Sequence, residues 1–189
     1  MRYIILPLTA ALIVAGCSSE AGDASARADT QASQAPTPKP TPTPIASAGG
    51  KTLTLEELGG LTIGQPVPKN SSFTAAEGQI GNGCETLSSP QFPDVYAIRT
   101  NGEVRRISVF GDSDVKLVEG VGPGSAIEDV RSAFPGFVEE PHKYTGPEGK
   151  YLTQPGNDPR LRFEIDPDGT VSTVHVGVMP ELGYVEGCA

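Results

Sequence analysis

Two stretches of the chain alternate apolar and polar residues around a central turn. Residues 96–110 align without gaps to residues 163–177 at an offset of 67. Asn101-Gly102 and Asp168-Gly169 lie at their centres, and these residue types tolerate the positive φ angles of a tight turn. The pattern predicts two equivalent β-hairpins, in which Ile98 matches Ile165.

A short helix is predicted before the second hairpin. Ser125 is a suitable N-cap, Glu128 three residues later completes a capping box, and Pro135 ends the segment. The strands predicted after this helix are residues 138–144, 150–154, 161–166 and 170–178.

The first half repeats this arrangement in a shorter form. Residues 64–67 align with residues 124–127 at an offset of 60, and residues 55–58 predict a helical turn. The strands predicted in this half are residues 84–88, 95–100 and 104–110. We therefore predict one compact α+β domain at residues 51–189, a tandem repeat of a short helix plus an antiparallel β-meander. Repeat one covers about 55–113 and repeat two about 115–189.

The N-terminus predicts export. Arg2 is followed by an apolar run from residue 4 to residue 15, which is too short for a permanent membrane span of about 20 residues. Val14-Ala15-Gly16-Cys17 resembles the lipobox of bacterial lipoproteins. The resemblance implies that the signal peptide, residues 1–16, is removed and that Cys17 becomes lipidated. The alternative is an ordinary secretory signal with Cys17 as an incidental thiol.

Residues 17–50 predict a disordered tether. They are rich in Ala, Ser, Thr and Pro, include the tract APTPKPTPTP, and contain too few apolar residues to form a core. A specific PxxP recognition site is the alternative. Ser18 and Ser19 follow Cys17, and the lack of Asp there resembles outer-membrane sorting in Gram-negative lipoproteins. The resemblance implies a lipid-anchored cell-envelope protein, which in a Gram-negative cell would lie at the outer membrane and face the periplasm.

The charge balance excludes one class of partner. The 14 Lys+Arg residues stand against 23 Asp+Glu residues, for a net charge of −9. Nucleic-acid binding requires clustered basic residues, so we expect no nucleic-acid partner. The partners that we expect are the membrane, through a lipid anchor, and an envelope protein.

Cys84 and Cys188 remain after Cys17 is assigned to the anchor. An even pair in an oxidising compartment predicts a disulfide, which would close a loop of about 105 residues and fasten the C-terminal tail across the first repeat. Two reduced thiols are the alternative.

Few residues suit catalysis or a cofactor. The chain has two histidines, and we expect His175, between Val174 and Val176, to point into solvent. The chain contains no G-x-S-x-G, H-E-x-x-H or phosphate-loop motif and no Cys/His pairing, so we predict a protein that is not an enzyme and has no cofactor. Residues 166–169 superficially resemble a calcium loop, but a hairpin turn explains them better, and we predict no metal site.

His142, Tyr144 and Tyr151 form a possible binding face. Aromatic and amphipathic side chains on a sheet are typical of interaction surfaces, but also of ordinary packing. The sequence leaves these two interpretations open.

The combined pattern resembles known bacterial proteins. A lipobox, a Pro/Thr spacer and repeats that end in hairpins resemble the small outer-membrane lipoproteins of the barrel-assembly type. Two such units in tandem resemble the β-lactamase-inhibitory-protein fold. Residues 141–144, 151–153 and 184–188 are also similar to a group of uncharacterised bacterial lipoproteins. The resemblance implies a membrane-anchored envelope protein with a protein-binding or envelope-assembly domain. An inhibitor or sensor of an envelope enzyme is the alternative, and a hydrolase is a weaker one.

Overall fold

The computed structural model describes residues 50–75 and 83–188, which belong to the compact unit Pro44–Ala189. The described strands are β1 Thr52–Leu53, β2 Glu57–Leu58, β3 Leu61–Thr62, β4 Thr74–Ala75, β5 Cys84–Ser89, β6 Phe92–Thr100, β7 Glu103–Phe110, β8 Lys116–Leu117, β9 Val138–His142, β10 Gly146–Thr153, β11 Arg160–Ile165 and β12 Val171–Gly177. The described helices are α1 Ile127–Ala133 and a 3-10 helix, Glu181–Gly183.

Eight of these strands form one antiparallel sheet in the order β4-β5-β6-β7-β12-β11-β10-β9. Two four-stranded meanders therefore meet through their last strands, β7 and β12. Ser108 lies opposite His175 at this junction, and Ile107 lies opposite Val176. The short strands β1 and β8 pair in parallel outside the sheet.

The predicted α+β class is wrong, because the described residues are mostly β and the helix is not repeated. The predicted helical turn at residues 55–58 is instead part of a hairpin in which Leu58 pairs with Leu61. Gly59 and Gly60 form its turn with φ angles of 58° and 83°. A four-residue segment gains too few hydrogen bonds to offset the cost of helix nucleation.

The first half also lacks a helix at residues 67–73, which align with α1. Ser71 N donates to Pro68 O at 2.9 Å in a turn, and Asn and Ser are weak helix formers. In the second half, Ile127 and Val130 bury one face of α1. The predicted capping box is wrong, since the N-cap is Ala126, whose side chain makes no capping hydrogen bond.

The two halves share the backbone contacts that lead into each hairpin. Gly64 N donates to Val104 O at 2.7 Å, and Gly124 N donates to Val171 O at 2.8 Å. The aligned segments at offsets of 60 and 67 therefore occupy matching places in the fold.

The gapless alignment is wrong by one residue in the first strand of each hairpin. Ala97 lies opposite Ile107, and Phe163 lies opposite Val174. The first strands therefore correspond at an offset of 66, from residue 97 to residue 163. A shift of one residue exchanges the faces of a strand, so Ile165 belongs to the main core cluster and Ile98 does not.

The two faces of the sheet differ in what covers them. The core face carries the buried apolar cluster, including Ile107, Phe163 and Val174. The opposite face carries Ser108 and His175, which alternate with these residues along β7 and β12. Residues 178–188, called the strap below, cross this second face, which we call the strap face.

Candidate functional site

A chain of polar side chains lies on the strap face. The Ser108 Oγ and His175 Nδ1 atoms are 2.8 Å apart, and His175 Nε2 is 3.0 Å from Glu164 Oε1. On the other side of this carboxylate, His142 Nε2 is 3.5 Å from Glu164 Oε2. Strands β7, β12, β11 and β9 each contribute one member, so the chain of polar contacts runs across both halves of the sheet.

The expectation that His175 points into solvent is wrong. Its side chain does point away from the neighbouring valines, but it is only 3% exposed. Sequence alternation defines the face of a strand and not whether that face is covered. Ser108 and His175 are related by the offset of 67, and the antiparallel junction between the meanders places these two equivalent positions opposite each other.

Burial controls the protonation of His175. Desolvation lowers its pKa from 6.5 to about 4, although a hydrogen bond to Glu164 acts in the opposite direction. The imidazole is therefore neutral at pH 7. Its Nε2–H donates to the Glu164 carboxylate, and its Nδ1 accepts from the Ser108 hydroxyl.

Burial tends to raise the pKa of Glu164, but hydrogen bonds from His175 and His142 outweigh it and hold that pKa below its usual value. Glu164 is therefore an ionised carboxylate that accepts from two imidazoles. A serine, an imidazole and a carboxylate in this order resemble an activated nucleophile. Here Ser108 is fully buried under the covered face, so its hydroxyl is enclosed in this structure.

Arg106 joins the strap to the sheet. Its Nη1 donates to the carbonyl oxygens of Glu181 at 2.9 Å and Tyr184 at 2.5 Å, and its Nη2 donates to the Tyr96 hydroxyl at 2.8 Å. The side chain is fully buried, and desolvation lowers the pKa of the guanidinium. Gly177 lies opposite Arg106 and lets β12 approach the β7 backbone closely, because a Cβ there would lie 2.4 Å from Arg105 O and 3.0 Å from Arg106 Cα.

We expect the free energy of unfolding to fall as pH decreases from about 6.5 to about 4. In this interval His175 takes a proton in the unfolded chain but not in the folded one, because its folded pKa is about 4. The loss is on the order of 3 kcal/mol across the interval. The lowered pKa of Glu164 adds a further loss at lower pH.

Urea titrations of the full chain between pH 7 and pH 4.5 measure this dependence. His175→Asn should flatten it, whereas His142→Asn, which changes the other imidazole of the network, should retain it. A midpoint that stays constant over this interval in the parent chain would contradict the assignment.

The predicted disulfide is present. Cys84 and Cys188 are bonded, with a Cα–Cα distance of 5.6 Å and a sequence separation of 104. The bond fixes the end of the strap to the start of β5, as the sequence indicated for the C-terminal tail. Cys17, the predicted lipidation site, lies outside the described residues.

The three residues of the predicted binding face have different environments. Tyr151 is 4% exposed, and its ring centroid lies 3.9 Å from the Arg162 guanidinium carbon. His142 is mostly buried, with its ring centroid 4.5 Å from that of Tyr151. Tyr144 is 58% exposed, and its hydroxyl donates to Glu186 of the strap. The accessible part of the face is therefore at Tyr144.

A cleft of about 790 Å³ lies beside β1, β8 and the end of α1. Its apolar walls are formed by Leu53, Leu55, Leu117, Val118, Phe134 and Leu161. Glu56, Glu57 and Glu119 also line it. No sequence pattern indicated this cleft, since it needs the parallel pairing of two two-residue strands, which have no alternation to detect.

The turn at residues 166–169 is a hairpin turn, as predicted. Asp168 Oδ1 accepts from Thr170 N at 3.0 Å and from Thr170 Oγ1 at 2.7 Å. These bonds hold the pKa of Asp168 below its usual value. Across residues 50–75 and 83–188, no group of three or more His, Cys, Asp or Glu side chains could hold a metal ion.

Comparisons with known proteins add no relative. No protein-family model matches the chain, and neither the curated proteins nor the solved structures contain a match. Among the described residues, no helix has the length and apolar character needed to cross a membrane.

Proposed function

We propose that this protein is a lipid-anchored cell-envelope protein whose folded domain binds an envelope protein without catalysing a reaction. The observation that carries the binding role is a set of exposed large apolar side chains on the strap and the β9–β10 turn. We call Tyr144, Met179 and Tyr184 the strap surface. All three are large apolar side chains that remain exposed.

The N-terminus and the disulfide support the proposed location in the cell envelope. The residues before Cys17 resemble a lipoprotein signal, and residues 17–50 have the composition of a spacer. The Cys84–Cys188 bond suits an oxidising compartment such as the periplasm. A lipidated Cys17 would carry more than one acyl chain, which is enough for stable anchoring.

We expect Cys17→Ser to prevent lipidation. The protein should then either leave the membrane fraction or accumulate with its signal peptide uncleaved. The substitution removes the thiol that would carry the lipid, so incorporation of labelled palmitate should fall to background. Fractionation and metabolic labelling of the full chain measure both effects. The Cys84→Ser/Cys188→Ser chain is the control and should keep its label. Labelling that persists in Cys17→Ser would contradict the anchor.

The strap surface has the composition of a protein interface. Tyr and Met are enriched in such interfaces, and Tyr is common among the residues that dominate binding energy. The disulfide and the contacts of Arg106 hold the strap in place. Tyr144 and Lys143 reach the strap at Glu186, with Lys143 Nζ 3.8 Å from its carboxylate. A partner would therefore meet a preorganised surface, which lowers the entropy cost of binding.

We expect Tyr144→Ser/Tyr184→Ser to weaken partner binding by at least about tenfold, since one dominant interface tyrosine contributes about 2 kcal/mol or more. Cross-linking of the full chain in native membranes identifies the partner, and titration of that partner against each chain gives the affinity. Val138→Ser is the matched control, because it removes an exposed apolar side chain at the start of β9, the end of that strand farther from Tyr144. Equal partner affinities for all three chains would contradict the proposed surface.

A further inference from the structure

We propose that the cleft beside β1 and β8 binds a small organic cation with an apolar body. This site is separate from the strap surface, because its lining residues come from residues 53–57, 117–119, 134, 154 and 161. The proposal rests on the size of the cleft, the chemistry of its walls and the sign of its charge.

The size and walls suit a small molecule. Ligand sites are typically clefts of roughly 300–1,000 Å³ with mainly apolar walls and a few polar groups, and this cleft has a volume of about 790 Å³. Leu55 and Phe134 are only partly buried, and Val118 is 70% exposed. An apolar body placed here would remove this surface from water, which is favourable by about 25 cal/mol per Å².

The charge selects a cation. Glu56, Glu57 and Glu119 line the cleft, and none of them forms an ion pair with any described residue. The Glu139 carboxylate, by contrast, contacts both Arg131 and Lys150. Three carboxylates beside apolar walls repel an anion and attract a cation.

The aromatic wall also favours a cation. An ammonium or guanidinium group is attracted to the face of an aromatic ring, and Phe134 provides such a ring in the cleft. The expected ligand therefore has an apolar body against the leucines and Phe134, and a cationic group directed at the carboxylates.

Three matched probes test the proposal: 4-phenylbutylammonium, 4-phenylbutan-1-ol and 4-phenylbutyrate. They share one apolar body and differ in charge. Isothermal titration of each into the full chain carrying Cys17→Ser gives the affinities. We expect saturable binding of the cation, at least about tenfold tighter than the anion at low salt, with the alcohol between them. Raising the salt concentration should reduce this preference.

Two variants and one control locate the site. Glu56→Gln/Glu57→Gln/Glu119→Gln should remove the preference for the cation while leaving binding of the alcohol unchanged. Val118→Ser should weaken all three probes, and it is exposed enough to leave the fold intact. The matched control replaces three exposed glutamates outside the cleft, Glu128, Glu140 and Glu148, with Gln and should retain the preference.

Clear outcomes would overturn the proposal. These are the absence of saturable binding, equal affinity for the cation and the anion, or an equal loss of the cation preference in the control triple variant. The strap variants Tyr144→Ser/Tyr184→Ser should leave probe binding unchanged. Failure here would therefore leave the proposed function standing, and failure of the strap experiment would leave this site standing.

Discussion

The Cys84→Ser/Cys188→Ser chain is expected to lose about 2–5 kcal/mol of its free energy of unfolding. The disulfide closes a segment with a sequence separation of 104, for which chain entropy gives an upper value of roughly 4.7 kcal/mol. The change also releases the end of the strap, and we expect this to weaken the hydrogen bonds from the Arg106 guanidinium to the carbonyl oxygens of Glu181 and Tyr184. A buried cation without its acceptors is strongly unfavourable.

Urea denaturation of the full chain measures the loss, and hydrogen exchange of the strap amides shows whether the strap opens first. Cys17→Ser is the matched control, since it removes the third cysteine of the chain and should leave the unfolding midpoint unchanged. A double variant within 1 kcal/mol of its parent would mean that the buried contacts of Arg106 hold the strap without the covalent bond.

The seven longer described strands, β5–β7 and β9–β12, were predictable from the sequence because their signal is local. The two-residue strands β1–β4 and β8 were not predicted. Alternation and the Asn101-Gly102 turn define β6 and β7 without knowledge of the rest of the chain. The helix prediction at residues 55–58 failed because a segment of four residues carries almost no periodicity. The two glycines that follow were the better signal, because consecutive residues with positive φ turn the chain back on itself.

The shift by one residue between the hairpins shows a further limit of sequence comparison. Ile98 and Ile165 match in the gapless alignment but lie on opposite faces of the sheet. The turn of the second hairpin contains one residue more than the turn of the first, which the gapless alignment does not allow for. Apolar residues are also common on both covered faces of the sheet. Composition alone therefore could not reveal the change of face.

The candidate site was predictable only in part. The disulfide could be predicted because two cysteines remained after Cys17. The network around His175 could not, since it depends on how the two meanders join and on what covers the strap face. One signal was present: if two repeated meanders join antiparallel through their last strands, one pair of residues related by the offset of 67 can lie opposite each other at the centre of the junction. Ser108 and His175 are such a pair.

Phe163→Ala should destabilise the chain by about 3–5 kcal/mol, the range for removing a fully buried phenylalanine. Phe163 is completely buried, and its ring centroid lies 5.5 Å from that of Phe134 and 5.9 Å from that of Phe137. Both neighbours come shortly after the C-terminal end of α1, so Phe163 joins the helix of the second half to the sheet. The truncation would leave a cavity that α1 can fill only by moving.

Phe110→Ala is the matched control, because it removes the same side chain from a position that is 36% exposed. Urea denaturation should give a clearly smaller loss for Phe110→Ala than for Phe163→Ala. Phe134 also lines the cleft, so the Phe163→Ala chain should bind 4-phenylbutylammonium more weakly while it is still folded. Equal losses of stability for the two phenylalanines would mean that α1 docks independently of β11, and the aromatic cluster would then not be the contact that fixes the wall of the cleft.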